Sequence, residues 1–406
     1  MNKIERYVLE LLFASLWGKD VCCGSLSKEE WEECYRLSKE QDVVSLIFYG
    51  IAPHKKEIPQ EIYKQWRIHA FSAIMNNENI TDSQSALINE LNDKGIPCAV
   101  IKGTSLSVCY PHPEQRSLGD IDILIRPEDR DSVAAVLDSL GYRLVETEHS
   151  FHKEYYGEAA YVEIHWAVST FPETNGAHMA KRIMESALDA TDNAVLDKRQ
   201  FPILKPDYQA LALILHLERH LTEGGIGLRQ LCDWGMYVKT ISCEIFEKSV
   251  IPVLTQCGLL YFAKVLSKCC EQYLGFEFNN TKWFSDVSDG ICKELLADVL
   301  RAGHSGNADT RNGVSDMFIE RGRQKFLLGT LMKNLNSLAM RNFPVTKHYR
   351  ILLPIFWVYI PVRYWIRTVI GERKRISLSN LISTTTDRRS LYNRLKLFDV
   401  QMMAKK

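Results

Sequence analysis

The sequence lacks an excess of charge of either sign. It holds 50 lysine and arginine residues against 50 aspartate and glutamate residues, which gives a formal net charge of +0. Proteins that bind long stretches of nucleic acid normally show a clear basic excess. The composition therefore argues against a nucleic-acid partner, although it is compatible with a local basic patch.

Cysteine motifs are also missing. The eleven cysteines form no Cys-x-x-Cys pair and show no zinc-finger spacing, so a structural zinc site of that kind is not expected. The first residues, Met1 to Arg6, lack the apolar core and the cleavage site of a secretory signal. Together these absences predict a cytoplasmic protein whose thiols are reduced.

Hydrophobic spacing divides the 406 residues into four parts. A pattern near the helical period predicts an N-terminal helical region over residues 1–95, with Ser27 as a helix N-cap. Residues 96–204 show short apolar strands, and the helical pattern returns over 205–340 before a basic, aromatic C-terminal segment, 341–406. The predicted fold class is α+β: a small mixed-sheet core, with helices on one side of the sheet, flanked by N-terminal and C-terminal helical regions.

The C-terminal segment contains an apolar and aromatic run from Ile351 to Ile370. The run has the length of a membrane span, but two prolines and two arginines inside it argue against one. Two interpretations stay open. The run forms kinked helices packed on the protein, or residues 341–375 lie as a peripheral segment on an anionic surface such as the inner membrane.

Acidic side chains lie on the central predicted strands. In the run Gly119-Asp120-Ile121-Asp122 the two aspartates project from one face, because side chains alternate along a strand. Glu163 and His165 share a face of a later strand in the same way. Two carboxylates two residues apart, with a third from another strand, supply the oxygen ligands that Mg²⁺ prefers.

A second polar group precedes these carboxylates. Gly103 follows a buried strand, and with Thr104 and Ser105 it offers backbone N–H groups and hydroxyls to a phosphate. Lys102 and Arg116 are candidate counter-charges to the same phosphate. The alternatives are that Lys102 is a solvated strand end and that Arg116 pairs with a neighbouring carboxylate.

These motifs resemble the polymerase-beta-like nucleotidyltransferase superfamily, and within it a bacterial family of uncharacterised nucleotidyltransferase-like proteins. The resemblance covers roughly residues 90–237. It is carried by Gly95-Ile96-Pro97, Ile101-Lys102-Gly103, Arg116-Ser117-x-x-Asp120-Ile121-Asp122, Gly141-Tyr142, Glu163-Ile164-His165-Trp166, His216-Leu217-x-x-His220-Leu221 and Gly227-Leu228-Arg229-Gln230-Leu231-x-Asp233.

The resemblance implies an Mg²⁺-dependent enzyme that moves a nucleoside monophosphate from a nucleoside triphosphate, ATP among them, to a hydroxyl of a small molecule, glycan or macromolecule. Two Mg²⁺ ions would be bound by Asp120, Asp122 and Glu163, with Glu163 alternatively the base for the acceptor hydroxyl. The β- and γ-phosphates would be held by Gly103, Thr104 and Ser105. A link to polysaccharide biosynthesis is conceivable.

Two other functions compete with this hypothesis. One is a toxin-like nucleotidyltransferase acting on RNA or protein, which the neutral net charge disfavours for RNA. The other is a non-catalytic scaffold or regulatory protein that retains the fold. Three converging carboxylates argue against a scaffold, because their mutual repulsion would destabilise a protein that never binds a metal.

Several polar residues have two interpretations. His165 is either a metal or base participant or a structural, hydrogen-bonded histidine. His216 and His220 share one helix face at i, i+4, where a structural or substrate-facing role is favoured over a metal site. Arg229 and Asp233 have the same spacing and form either a surface ion pair or part of the cleft.

Overall fold

The computed structural model describes residues 1–21, 26–145 and 150–303, the pairs 319–320 and 325–326, isolated positions from 332 to 343, and residues 345–369 and 378–400. Within these residues the α+β class predicted from the sequence is confirmed.

Four helices precede the first strand, as the apolar spacing predicts. They are α1 (Lys3–Trp17), α2 (Lys28–Glu40), α3 (Val44–Ile51) and α4 (Gln60–Asp93). The N-cap prediction is also confirmed: the Ser27 side chain accepts a hydrogen bond from the Glu30 N–H, and the Glu30 side chain accepts one from the Ser27 N–H. This reciprocal pair satisfies two N–H groups that the start of a helix leaves without partners.

The described residues form one seven-stranded mixed sheet in the order β3-β4-β5-β2-β1-β7-β6. β1 pairs in parallel with β7 and β2 pairs in parallel with β5, while the other neighbours are antiparallel. The strands are β1 (Cys98–Val100), β2 (Ile121–Ile125), β3 (Arg143–Leu144), β4 (His152–Tyr156), β5 (Tyr161–His165), β6 (Thr191–Leu196) and β7 (Arg199–Leu204).

Helices pack on both faces of the sheet, so the expectation of helices on one side is wrong. Ile121, Ile123 and Ile125 of β2 pack in one apolar cluster with residues of α4 and of α6 (Arg130–Ser139). Leu124 projects from the opposite face and belongs to a second, larger cluster that includes α8 (Pro206–Glu223). Because β2 has apolar residues on both faces, its sequence is nearly continuously hydrophobic.

The remaining described helices follow the first strand, and most of them contribute to the apolar cluster around α8. They are α5 (Thr104–Ser107), α7 (Asn175–Met184), α9 (Leu228–Thr240), α10 (Cys243–Ile245), α11 (Ile251–Gln256), α12 (Leu260–Leu274), α13 (Asp289–Ala302), Val345–His348, Leu353–Val369 and Leu378–Leu395. Single turns of 3₁₀-helix lie at Ala52–His54, Pro113–Gln115, Pro127–Asp129, Lys282–Phe284 and Arg350–Leu352, a π-helical turn spans Phe246–Val250, and Ile319–Glu320 pairs with Lys325–Phe326.

The N-terminal and C-terminal helical regions share one core. The larger apolar cluster contains residues from Tyr7 to Phe398. Gln41, after α2, accepts a hydrogen bond from the Leu228 N–H at the start of α9 and donates to the carbonyl of Val299 in α13. The division into four domains stays a prediction. These contacts show that residues of the predicted N-terminal helical region, 1–95, pack directly against residues of the predicted region 205–340.

In the C-terminal part, no helix within the described residues is both long and apolar enough to cross a bilayer. Three basic residues of the segment 341–375, which are Arg373, Lys374 and Arg375, lie outside the described residues.

Candidate functional site

Two rows of polar side chains cross three neighbouring strands. The register places Asp122 of β2 opposite Glu163 of β5, and Glu163 opposite Glu154 of β4. The next row pairs His165 of β5 with His152 of β4. Because residues two apart share a face of a strand, all five side chains project toward the helical layer that contains α8.

The structure brings the three predicted carboxylates together. Asp120, Asp122 and Glu163 each offer an oxygen atom, and these atoms lie within 4.8 Å of one another. Asp120 comes directly before β2 and is partly exposed, while Asp122 is buried inside the strand. The charge of Asp122, and then burial, raise the pKa of Asp120 to about 6 from its ordinary value of 3.8.

Two basic groups lie against the buried carboxylate. The Lys102 ammonium is 2.6 Å from Asp122 Oδ1, and His165 Nε2 is 2.9 Å from the same oxygen and 3.1 Å from Glu163 Oε2. Burial alone would lower the pKa of His165, but the hydrogen bonds with Asp122 and Glu163 raise it overall. For Glu163 the two effects have the opposite signs: burial alone would raise its pKa, but the hydrogen bond with His165 and the charge of Lys102 hold the pKa well below its usual range.

The glycine of the predicted phosphate loop adopts a backbone conformation that few other residues tolerate. Gly103 has φ +60° and ψ −112°, and a Cβ atom built on it would lie 3.4 Å from the carbonyl oxygen of Asp120. Only glycine adopts this conformation without strain. The absence of a side chain at this position also lets the backbone lie close to the strand that carries the carboxylates.

The hydroxyls that follow this glycine face the protein interior. Thr104 donates to Gln84 Oε1 at 2.7 Å. Ser105 donates to the carbonyl of Lys102 at 3.2 Å and accepts from Gln209 Nε2 at 3.3 Å. The structure therefore brings the backbone of this loop to the site but not these two hydroxyl groups.

Arg116 is fully engaged by a carboxylate. Its Nε and Nη2 atoms lie 2.9 and 2.8 Å from the two oxygens of Asp233, and the Tyr110 hydroxyl donates to the same carboxylate at 2.9 Å. Burial alone would raise the pKa of Asp233, but the charge of Arg116 lowers it overall. This geometry favours the structural interpretation of Arg116 and places Asp233 in a buried pair rather than on the surface. Arg229 contacts Asp42 at 2.9 Å.

Two cavities meet at the carboxylates. The first has a volume of about 330 Å³, and its wall carries both basic and acidic side chains. The second has a volume of about 380 Å³ and opens on the other side of Asp120. The walls that both cavities share are formed by Gly119, Asp120, Glu154, Glu163 and Arg229.

Several residues of the first cavity come from α8 and α9. They are Leu213, His216, Leu217, Arg219, His220, Arg229, Gln230 and Asp233. His216 and His220 stack edge to face with ring centroids 4.2 Å apart. Burial and the charge of Lys102 lower the pKa of His216 well below its ordinary value, which keeps this ring neutral.

Three residues that line the first cavity were not predicted from the sequence: His152, Glu154 and Arg219. A signal for the first two exists, because His152-x-Glu154 in β4 mirrors Glu163-x-His165 in β5 across an antiparallel pair. Arg219 carried no such signal, since its place beside the cavity depends on how α8 lies across the sheet.

The donor set suits a hard divalent cation. Carboxylate oxygens are the ligands that Mg²⁺ prefers, and the raised pKa of Asp120 shows that the positive charge of Lys102 and Arg229 does not fully balance the cluster. Among the described residues, one other group of this kind occurs, formed by His152, Glu163 and His165.

The family model described as an uncharacterised nucleotidyltransferase matches residues 27–275 of the sequence. The chain belongs to this family. The protein is therefore a nucleotidyltransferase, an enzyme that uses a nucleoside triphosphate, and the resemblance seen in the motifs is confirmed. A search of curated proteins finds no match.

Solved structures similar to this nucleotidyltransferase include ANT(2'')-Ia in complex with adenylyl-2''-tobramycin, with 13% identity and a TM-score of 0.32 over 43% of this chain and 97% of that chain. An antigenic nucleotidyltransferase-like protein from Paracoccidioides brasiliensis has 14% identity and a TM-score of 0.32 over 52% of this chain and 98% of that chain. At these scores the likeness adds nothing to the assignment, which rests on the family match.

Proposed function

We propose that this nucleotidyltransferase transfers a nucleoside monophosphate from a nucleoside triphosphate to a hydroxyl group in an Mg²⁺-dependent reaction. The observation that carries the proposal is the convergence of Asp120, Asp122 and Glu163 within 4.8 Å at the point where two cavities meet. A two-metal reaction needs ligands for both ions and room for a donor on one side and an acceptor on the other.

The triphosphate occupies the first cavity in this proposal. Lys102, Arg219 and Arg229 supply positive charge in its wall, which an anionic triphosphate requires. Gly103 lets the backbone approach the phosphates closely, and the Thr104 and Ser105 segment contributes through its main chain. Arg116 does not contact the triphosphate in this proposal; it binds Asp233 and so fixes the position of the first turns of α9.

The acceptor enters from the second cavity. Asp120 and Glu163 lie on the wall that this cavity shares with the first, so a hydroxyl held there lies beside both carboxylates. The hydroxyl oxygen bonds to the α-phosphorus as the bond to pyrophosphate breaks, and Glu163 accepts the hydroxyl proton. Asp120 and Asp122 would hold Mg²⁺, with Glu163 a further ligand only where it does not act as the base, and the bound ion would supply charge that stabilises the phosphate oxygens.

Calorimetry with the full chain tests the donor half of this proposal. Each of the four nucleoside triphosphates is titrated with and without Mg²⁺ into wild type, Asp122→Asn and Asp138→Asn. Asp138 is an exposed residue of α6, so its variant makes the same chemical change away from the cavities. We expect Mg²⁺-dependent binding of at least one triphosphate, weakened about tenfold or more in Asp122→Asn only.

The acceptor is then sought with an α-labelled form of the triphosphate that binds. Label on a small molecule or glycan supports the proposal, while label on RNA or protein would favour the toxin-like alternative. Folded wild-type protein that binds none of the four triphosphates would overturn the proposal and favour the scaffold alternative.

We also propose that residues 341–375 contact an anionic membrane surface peripherally. One face of the helix Leu353–Val369 and the turn before it exposes Ile351, Ile355 and Val358, with exposed fractions of 86%, 61% and 66%. Basic residues in this segment far outnumber its one acidic residue, Glu372. Exposed apolar groups beside basic groups are the composition of a helix that lies at a membrane interface.

Co-sedimentation of the full chain with vesicles tests this contact. Ile351→Glu is compared with Val195→Glu, because Val195 is similarly exposed, at 62%, in the β6–β7 hairpin. We expect Ile351→Glu to reduce binding to anionic vesicles about fivefold or more and Val195→Glu to leave it unchanged. Equal binding to neutral and anionic vesicles, or none to either, contradicts the proposal.

A further inference from the structure

A second group of ligand-bearing side chains adjoins the three carboxylates. His152, Glu163 and His165 each offer one ligand atom, and these atoms lie within 4.8 Å of one another. The group is fixed by the sheet, since His152 and His165 are register partners on the antiparallel strands β4 and β5. Glu163 belongs to both groups and lies between them.

The two groups differ in chemistry. The first offers oxygen atoms alone, whereas the second offers two imidazole nitrogens and one carboxylate. Mg²⁺ takes oxygen ligands and dehydrates reluctantly. Imidazole nitrogen suits transition-metal ions such as Zn²⁺ and Fe²⁺, and two histidines with one carboxylate form a known ligand set for such ions.

The imidazoles are held where a metal ion would be shielded from solvent. His152 and His165 are 4% and 1% exposed, and their ring centroids lie 4.9 Å apart. His165 Nε2 faces Asp122 and Glu163, while its Nδ1 atom is buried and has no hydrogen-bond partner in the part of the chain that the structure describes. Buried polar atoms normally have a partner, so this histidine has coordinating capacity that the protein itself does not use.

The surrounding charges permit a divalent cation. Glu154 lies 3.5 Å from His152 Nε2 and adds a second carboxylate to the same row as Glu163. Asp122 faces the group through His165. Of the nearby cations, Lys102 contacts Asp122 and Arg219 lies over the Phe151 ring. Carboxylates therefore predominate among the charged groups around the two histidines.

We infer that His152, Glu163 and His165 form a binding site for a divalent transition-metal ion, distinct from the oxygen-only site and sharing Glu163 with it. The inference goes beyond the transfer reaction, because it concerns binding of the metal ion alone to the full chain. It predicts that the protein discriminates between metals by nitrogen coordination and holds an ion in the absence of nucleotide.

The test measures binding of Zn²⁺ and Mg²⁺ to the full chain without nucleotide. We expect Zn²⁺ to bind about a hundredfold more tightly than Mg²⁺, and His152→Ala to weaken Zn²⁺ binding about tenfold or more while leaving Mg²⁺ binding unchanged. His178→Ala is the matched control, because the His178 side chain is 58% exposed in α7 and contacts Glu173. Unchanged Zn²⁺ affinity in a folded His152→Ala protein overturns the inference.

A spectroscopic measurement on the wild-type protein removes the dependence on a variant that folds. Cu²⁺ suits imidazole ligands and takes nitrogen and oxygen atoms in tetragonal geometry, whereas Mn²⁺ favours carboxylate oxygen. We expect EPR of Cu²⁺ at one equivalent to show coupling to directly bound imidazole nitrogen. A spectrum with oxygen ligands only overturns the inference.

These outcomes are separable from those of the proposed function. Zn²⁺ binding that depends on His152, together with failure to bind any triphosphate, supports the metal site and rejects the transferase proposal. Triphosphate binding that requires Mg²⁺, together with oxygen-only Cu²⁺ spectra, does the reverse.

Discussion

The carboxylate cluster makes the protein less stable when no cation is bound, and Asp120→Asn measures by how much. Asp120 receives no hydrogen bond from any described residue, and the charge of Asp122 raises its pKa to about 6. Its neighbour Asp122 is balanced by Lys102 at 2.6 Å and His165 at 2.9 Å. Replacing Asp120 with the isosteric, neutral asparagine removes the repulsion while preserving the packing.

The size of the effect follows from the difference in pKa between the folded and unfolded chains. The folded value of about 6 lies above the ordinary value of 3.8, so the folded protein binds more protons between these pH values and loses stability as pH rises through them. At pH 8 the full difference applies, and we expect Asp120→Asn to raise the free energy of unfolding by about 3 kcal/mol. At pH 5 the gain falls to roughly half that value.

Chemical denaturation in EDTA at pH 8 and pH 5 checks this expectation, with Asp138→Asn as the control for an exposed aspartate. Saturating Mg²⁺ at pH 8 should reverse the order, because a bound cation stabilises wild type and loses a ligand in Asp120→Asn. An Asp120→Asn protein no more stable than wild type in EDTA at pH 8 would refute the electrostatic reasoning. A gain of equal size at both pH values would refute it as well.

Three further substitutions test single contacts of the site. Lys102→Met should lower the free energy of unfolding by about 3 kcal/mol, because it leaves a buried carboxylate without its cation. The control Lys205→Met breaks an exposed pair with 44% exposure on each side and should lower it by under about 1 kcal/mol. Chemical denaturation of both proteins measures the two values. Arg116→Lys keeps the charge but loses the paired contact with Asp233, so it should lower the free energy of unfolding by about 2–4 kcal/mol. Its triphosphate affinity, measured by calorimetry, should stay within about threefold of wild type. Gly103→Ala should cost about 1–3 kcal/mol from its backbone conformation alone, which a thermal melt would show.

The carboxylate group was open to prediction because it depends on local periodicity. Asp120 and Asp122 lie two residues apart beside an isoleucine-rich strand, and strand alternation alone places them on one face. Glu163 and His165 follow the same rule in β5. The resemblance to a known family implied that Glu163 joins the two aspartates, but the parallel pairing of β2 with β5, which brings Asp122 opposite Glu163, was not predicted.

The β6–β7 hairpin was missed because its turn carries no glycine or asparagine. Asp197 and Lys198 both adopt positive φ, at 48° and 68°, in a two-residue turn that usually selects Asn-Gly or Asp-Gly. Pro202 inside β7 further disguised the strand, since proline is uncommon within sheets. Without β7, which pairs in parallel with β1, the expected sheet lacked its last two strands.

The Arg116–Asp233 contact shows a different limit. The two residues are separated by 117 positions, and Asp233 has Arg229 at the i+4 spacing that favours a local pair. The structure chooses the distant partner because both groups are buried together with Tyr110, where paired charges must satisfy each other's hydrogen bonds. Local spacing describes solvent-facing helix surfaces well and fails for the buried face of α9.

The position of Lys102 links the charge balance of the site to the order of binding. Its ammonium lies 2.6 Å from Asp122 Oδ1, so it shares the Asp122 carboxylate with any metal ion bound there, and the two positive charges repel each other. Lys102 also lines the first cavity, where a triphosphate supplies the negative charge that a displaced ammonium needs. The proposed function therefore couples metal and triphosphate binding: each makes the other more favourable through the side chain of Lys102.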